Sequence, residues 1–212
     1  MPDAETIWLF CLAATALIVI PGPAVLYIVA QSVGQGRRAG LVSASGVASG
    51  GLVHVIGAAI GISGLLLSSA TLFSIVKFVG AGYLIYLGAR RLLGLEASAL
   101  VAPTGGRSRR QLYRDGAVVN ILNPKTALFF YAFLPQFLDP GRGSVALQAV
   151  VLGTLFVAIA LVSDSLWALA SGSAASWLKA RPIAATVERW VTGTVLIGLG
   201  TAAALTGAHR SK

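Results

Sequence analysis

Charged side chains are scarce in this sequence. Asp, Glu, Lys and Arg make up 11% of its 212 residues, whereas a soluble domain typically carries about 25%. Hydrophobic residues make up 56%, and the mean hydropathy is +0.83. Most of the outer surface must therefore face something other than water. The scarcity of charge excludes a soluble globular domain and predicts an all-α polytopic membrane protein whose exterior contacts lipid.

Cysteine and histidine are nearly absent. Cys11 is the only cysteine, which excludes an internal disulfide and a dithiol redox pair. The two histidines, His54 and His209, are too few for a metal-transporting cluster, and we expect no metal and no other cofactor. Basic residues outnumber acidic ones by 16 to 7, but they lie mostly between the apolar runs. That distribution is typical of topology determinants and does not indicate a nucleic-acid partner.

Apolar runs between the charged residues predict six transmembrane helices. About 20 mostly apolar residues are needed to cross a bilayer. The connection between the third and fourth helices, about 94–115, contains Pro103, Gly105 and several arginines, and we expect it to be a flexible basic loop. The six helices are predicted at about 7–36, 39–67, 72–88, 116–138, 144–178 and 190–206.

Lys and Arg are divided unevenly between the two sides of the predicted bundle. The connections after the first, third and fifth helices carry eleven of them, and the opposite side carries four. Positive residues collect on the cytoplasmic side of a membrane. We therefore expect both termini to lie outside and the basic loop to lie in the cytoplasm.

An internal repeat divides the single transmembrane domain, residues 1–212, into two halves at about 7–93 and 116–207. Residues 77–88 align with residues 189–200 without gaps, and five positions are identical. Each half has three helices, which is an odd number, so the two halves must insert with opposite orientation. Inverted repeats are an architecture of transporters, whose site lies at the repeat interface near the bilayer midplane.

The first predicted helix contains Pro21-Gly22-Pro23 near its middle. A proline inside a helix removes an N–H donor and clashes with the preceding turn, at a cost of about 3 kcal/mol. We expect this helix to stop and to restart at Pro23. The restarted helix would present unpaired N–H groups and a positive dipole end at membrane depth, which is tolerated where it lines a cavity. The alternative is a proline kink that serves only helix packing.

A second break is predicted in the fourth helix at Asn123-Pro124-Lys125. Asn123 can cap a new half-helix, and Pro124 can occupy its first position. Lys125 then places an ammonium on the first turn, where an anionic group such as an α-carboxylate is the natural partner. The alternative is that Lys125 lies near the cytoplasmic end of the helix and extends to the interface.

Two further ionisable residues lie inside predicted helices. Asp164, in the fifth helix, could bind a substrate ammonium, carry a proton or pair with Lys125, and the sequence does not choose between these roles. His54, in the second helix, is a weaker candidate for proton coupling, because a lone membrane histidine is more often a hydrogen-bonded packing residue.

Taken together, the motifs resemble those of the LysE/RhtB family of amino-acid exporters over nearly the whole chain. The resemblance implies export of amino acids or close derivatives across the bacterial inner membrane, driven by proton exchange and performed by a homodimer. It does not identify the cargo, because the motifs are shared by exporters of different amino acids. It rests on Pro21-Gly22-Pro23, Gly80-x-x-Tyr83-Leu84-x-x-Leu87-Gly88, Gly116-x-x-x-Asn120-x-x-Asn123-Pro124-Lys125 and Asp164.

The residues and the resemblance predict a secondary transporter, not an enzyme, with alternating access between two repeats. Its partners would be an amino-acid substrate and membrane lipid. A non-transporting membrane assembly protein and an intramembrane hydrolase are the alternatives, although no Gly-x-Ser-x-Gly elbow accompanies the serines. We expect the substrate carboxylate at the two half-helix starts and the ammonium or a proton at Asp164. The predicted binding residues are Pro21, Gly22, Pro23, Asn120, Asn123, Pro124, Lys125 and Asp164.

Overall fold

The computed structural model describes residues 1–68 and 106–178, together with scattered residues between 78 and 94 and between 190 and 204. The third and sixth predicted helices, and the aligned repeat that includes residues 77–88, lie largely outside these described residues. All regular secondary structure in the described part of the chain is helical, and no strand occurs there. Its α-helices are α1 Ala4–Val19, α2 Pro23–Gln35, α3 Arg37–Ser68, α4 Arg109–Ile121, α5 Pro124–Leu128 and α6 Val145–Leu178.

Three short helical turns connect α5 to α6. A π-helical turn, Phe129–Phe133, follows α5 directly and continues into a 3₁₀ turn, Leu134–Phe137. A second 3₁₀ turn, Pro140–Arg142, begins after Asp139, whose side chain accepts a hydrogen bond from the Gly141 N–H. The chain therefore stays helical from Pro124 to Phe137, and it then turns back into α6.

Four candidate membrane spans lie in the described ranges. Residues Arg37–Gly61 of α3 and Val145–Ser171 of α6 are each long and apolar enough to cross a bilayer. The pair α1 and α2 qualifies when it is counted as one span with a bend of 52°, and α4 qualifies together with Pro124–Phe137, with a bend of 47°. These four correspond to the first, second, fourth and fifth predicted helices, and the first and fourth are broken as expected.

Glycines allow α3 and α4 to approach each other closely. A Cβ atom at Gly46 would overlap the carbonyl oxygen of Tyr113, and one at Gly50 would overlap that of Ala117. On the facing helix, a Cβ atom at Gly116 would overlap the carbonyl oxygen of Ser43. The two backbones are therefore in direct contact, as in other membrane helix pairs that lack side chains at the interface.

Aromatic side chains fix the segment after α5 against α1 and α6. Phe129 stacks on Phe156 of α6 with ring centroids 4.5 Å apart, and Phe10 of α1 packs on Phe129 and Phe137 at 5.7 and 5.3 Å. Phe10, Phe129 and Phe130 are fully buried. This packing fixes the position of the half-helix that begins at Pro124, because a dense core tolerates little displacement.

The predicted boundary of the basic loop is wrong. The loop was expected to extend to residue 115, but α4 begins at Arg109, seven residues before the predicted start of the fourth helix. The cause is a capping box: the Ser108 side chain accepts from the Gln111 N–H, and the Gln111 side chain accepts from the Ser108 N–H. This reciprocal pair satisfies two donors at the start of a helix, and the high density of arginines around it concealed the signal.

Candidate functional site

The first break, residues 20–22, separates α1 from α2. α1 ends at Val19, Ile20 is extended, and Gly22 precedes α2 with φ −120° and ψ −169°. Pro23 is the first residue of α2 and has no N–H, so the carbonyl of Val19 loses its helical donor. No side chain caps the N-terminus of α2. The predicted stop and restart are confirmed, and the new helix begins with uncapped N–H groups.

The second break, residues 122–123, separates α4 from α5. Asn123 caps α5, because its side-chain oxygen accepts from the Lys125 N–H at 3.1 Å, and Pro124 is the first helical residue. Pro124 has no N–H, so the Asn120 carbonyl loses its usual donor. That carbonyl instead accepts from the Asn123 N–H and from Nε2 of His54, each at 3.0 Å. The predicted cap and restart are confirmed here as well.

The two breaks meet through the side chain of Lys125. Its Nζ donates a hydrogen bond to the carbonyl oxygen of Ile20 at 2.6 Å. That carbonyl is exposed to a new donor because the chain turns extended at Ile20 and leaves the helix. Gly22 provides the space: a Cβ atom there would lie 3.2 Å from Cδ of Lys125. A full positive charge therefore lies beside the uncapped N-terminus of α2.

Asn120 organises the second break. Its Nδ2 donates to the carbonyl of Val47 on α3 at 2.7 Å, and its Oδ1 accepts from Thr126 Oγ1 at 2.8 Å. The Asn123 side chain approaches the same oxygen at 3.5 Å. Asn120, Asn123 and Thr126 are all buried. Sequence reasoning missed Thr126, although its position two residues after a helix-starting proline places its hydroxyl at the first turn.

His54 is a buried packing residue at this same break. Besides its hydrogen bond to the Asn120 carbonyl, its ring stacks on Phe130 with centroids 5.8 Å apart and an interplanar angle of 23°. The structure therefore gives His54 the hydrogen-bonded environment that the sequence analysis considered more common. A role in proton coupling stays a prediction.

Asp164 is 4% exposed on α6. Burial and the positive charge of Lys125 are the two influences on its carboxylate. A buried carboxylate without a hydrogen-bond donor is costly unless a cation compensates it. The arrangement therefore combines a cation, an uncapped helix N-terminus and a buried acid, which together suit a zwitterion.

The two broken spans run antiparallel and are joined at three levels. At one end, Arg142 forms an ion pair with Asp3, and its carbonyl accepts from the terminal amine of Met1. In the middle lies the Lys125 to Ile20 hydrogen bond. At the other end, the Arg107 N–H donates to Oε1 of Gln35 at 2.9 Å. Sequence reasoning missed both end contacts, because they join residues more than 70 positions apart.

The Asp3 carboxylate is ionised over the whole physiological range. Hydrogen bonds from Thr6, followed by the hydrogen bond from Arg142, lower the pKa of Asp3 from 3.8 to about 2. The same ion pair raises the pKa of Arg142. Asp3 is also the N-cap of α1, because its side chain accepts from the Thr6 N–H at 2.9 Å. One side chain therefore caps α1 and forms the ion pair with Arg142.

Metal binding finds no support in the part of the chain that the structure describes. No group of three or more His, Cys, Asp or Glu side chains is arranged there to hold a metal ion.

Comparison with known proteins finds relatives along nearly the whole chain. A family model described as LysE type translocator matches residues 15–207. An uncharacterized membrane protein of Pseudomonas aeruginosa is 30% identical over 198 residues, covering 91% of this chain and 92% of that protein. The leucine efflux protein of Salmonella choleraesuis is 28% identical over 197 residues, covering 90% and 91%. The homoserine/homoserine lactone efflux protein of Salmonella typhimurium is 30% identical over 170 residues, covering 80% and 82%. No solved structure matches the chain.

Proposed function

The chain belongs to the LysE type translocator family, and from this membership we propose that it is a secondary transporter that exports an α-amino acid from the cytoplasm. Members of the family are translocators, so the chain is a membrane transporter and not an enzyme. The intramembrane hydrolase considered from the sequence is thereby removed. Relatives named for leucine and for homoserine efflux favour an amino acid with an uncharged side chain as cargo.

The contact of Lys125 with the first break is the observation that supports this proposal best. The Lys125 ammonium lies 2.6 Å from the Ile20 carbonyl and beside the uncapped start of α2. A helix N-terminus and an ammonium both attract an anion. The substrate carboxylate takes the place of the Ile20 carbonyl as the partner of Lys125 and accepts from the first N–H groups of α2.

Asp164 is the partner for the other end of the substrate. Its carboxylate is buried within the electrostatic range of Lys125, and the ammonium of an amino acid provides it with a second cation. A zwitterion held between Lys125 and Asp164 is recognised by the two groups that all α-amino acids share.

Export is driven by proton antiport with alternating access. Asp164 binds the substrate ammonium in its ionised form and a proton when the site is empty. The antiparallel arrangement of the two broken spans supports a pair of inverted repeats that rock against each other, with the cargo near the midplane. Location in the bacterial inner membrane, both termini outside and a homodimer remain predictions that belong to the same proposal.

Efflux measurements test the site. Cells or proteoliposomes are loaded with radiolabelled leucine, and efflux is compared among wild type, Lys125→Ala and Asp164→Asn. Each variant should lose at least about tenfold in rate, because each removes a charged contact to the substrate. Arg114→Gln is the control: its side chain is 74% exposed, and its efflux should be unchanged. Wild-type efflux in both Lys125→Ala and Asp164→Asn would refute the site.

Proton coupling is tested in the same vesicles with an imposed pH gradient. Wild-type leucine efflux should accelerate when the receiving side is acidic, with measurable uptake of protons into the vesicle. Asp164→Asn should lose this dependence on the gradient. An efflux rate that ignores the gradient in the wild type would leave the export proposal standing but would remove antiport.

A further inference from the structure

A cavity of about 330 Å³ lies at the end of the broken spans where Asp3 meets Arg142. It is formed by the start of α1, the 3₁₀ turns after α5 and the start of α6. Its apolar wall includes Leu9, Phe133 and Phe137, and its polar residues include Asp139 and Arg142. Its size is at the lower end of the range for small-molecule sites, and a mostly apolar lining with few polar groups is typical of them.

The cavity is separate from the Lys125 site. Neither Lys125 nor Asp164 lines it. Lys125 and Phe133 are eight positions apart on one continuous helical segment, which corresponds to about 12 Å. The segment that begins at the second break therefore ends at the cavity and connects the two places.

Asp139 is held rigidly at the rim of this cavity. The buried Gln148 side chain accepts from the Asp139 N–H at 3.0 Å and donates to its carbonyl at 2.8 Å. One carboxylate oxygen of Asp139 accepts from the Gly141 N–H at 2.8 Å, and the other lies 3.3 Å from Nε of Arg142. The carboxylate of Asp139 and the guanidinium of Arg142 are therefore adjacent in a cavity whose other lining residues are mostly apolar.

We propose that this cavity is a second binding site for the transported amino acid, where Arg142 receives the α-carboxylate and Asp139 receives the ammonium. The proposal rests on the proposed export function, and it adds a binding step on the path beyond Lys125. A guanidinium fits a carboxylate through two parallel hydrogen bonds. An apolar side chain such as that of leucine packs against Leu9, Phe133 and Phe137.

Asp3 competes with the ligand for Arg142. The Asp3 carboxylate forms an ion pair with the Arg142 guanidinium, and the Met1 amine donates a hydrogen bond to the Arg142 carbonyl. Pro2 and Thr6, on either side of Asp3 in the chain, line the cavity. Loss of Asp3 should strengthen ligand binding, whereas loss of Arg142 should weaken it. If the ion pair were only structural, loss of Asp3 and loss of Arg142 would change ligand affinity in the same direction.

Equilibrium binding of radiolabelled leucine to the purified full-length protein in nanodiscs tests the proposal. Wild type should bind two equivalents, Arg142→Gln one and Lys125→Ala one. Asp3→Asn should retain two, with the affinity of the cavity increased about two- to fivefold, the range expected from removing one exposed ion pair. Asparagine keeps the N-cap of α1, so this variant changes the competitor and leaves the helix start intact. Arg114→Gln is the matched control for loss of an exposed arginine.

The outcomes separate this proposal from the proposed function. One wild-type equivalent that Lys125→Ala removes and Arg142→Gln leaves unchanged overturns the second site, while export through the Lys125 site stands. Loss of the second equivalent in both Asp3→Asn and Arg142→Gln also overturns it, because the ion pair is then only structural. Absence of binding for leucine and for homoserine contradicts both proposals.

Discussion

The first and second breaks both begin a half-helix with a proline, but different groups satisfy the backbone atoms that the two prolines leave without partners. Each places a proline at the first position of a new half-helix and leaves a carbonyl without its helical donor. At the second break, the side chain of Asn123 caps the new helix, and His54 supplies a donor to the Asn120 carbonyl. At the first break, Gly22 provides no cap, and the Lys125 ammonium donates to the carbonyl of Ile20, the residue after Val19, whose carbonyl lost its donor to Pro23.

This difference indicates that the two breaks have different roles. At the second break, short buried side chains satisfy the backbone and side-chain hydrogen-bonding groups, so this break has a structural role. The first break keeps N–H groups that no side chain caps, and under the proposed function these groups bind the substrate carboxylate. What satisfies the backbone groups therefore distinguishes the two breaks, although both begin a half-helix with a proline.

Asn120→Ala, at the second break, should have the largest effect on the stability of the protein. It removes the hydrogen bonds to Val47 and Thr126 and leaves buried groups unsatisfied, at about 1–3 kcal/mol for each. We expect the free energy of unfolding to fall by about 3 kcal/mol, measured by thermal or denaturant unfolding in detergent. Stability equal to that of the wild type would contradict the role of Asn120 in the second break.

Asn123→Ala should have the next largest effect. Loss of the cap on α5 costs about 1 kcal/mol of stability. Asn123→Ser is the matched variant, because serine can cap in the same position and should retain most of the stability. If both variants unfold alike, the cap contributes nothing, and the contrast between the breaks loses its basis.

Gly22→Ser converts the first break into a copy of the second. Serine can cap α2, which should raise stability by about 1 kcal/mol relative to Gly22→Ala, and its hydroxyl then competes with the substrate carboxylate for the same N–H groups. We expect leucine efflux to be several-fold lower in Gly22→Ser than in Gly22→Ala. Both variants bring a Cβ atom to 3.2 Å from Lys125 Cδ, so the comparison isolates the cap. Equal efflux would show that substrate does not use the start of α2.

The smallest expected effect is that of pH on the end contact. The pKa of Asp3 is lowered to about 2, so the stability that its charge contributes is present above pH 3.8 and is lost as the pH falls toward 2. The difference in melting temperature between Asp3→Asn and the wild type should therefore be constant from pH 5 to pH 8. A difference that changes across that interval would mean that the charge of Asp3 does not govern the contact.

Sequence reasoning succeeded where the causes are local. Proline and its neighbours determine whether a helix stops, so both breaks and both restarts could be predicted from a few adjacent residues. The start of α4 was missed because the Ser108 capping box lies among arginines, whose charge indicated a loop. The partners of Asn120 and of Arg142 could not be predicted, because they depend on which distant helices pack together.

The three-level connection between the broken spans has a mechanical consequence. The Lys125 to Ile20 contact lies between the Asp3 to Arg142 pair and the Gln35 to Arg107 contact. A tilt of one span about that central point separates the pair at one end while it presses the other end together. If the proposed rocking motion is such a tilt, it cannot open both ends of the two spans at once, and a transporter that moves in this way would not leak protons.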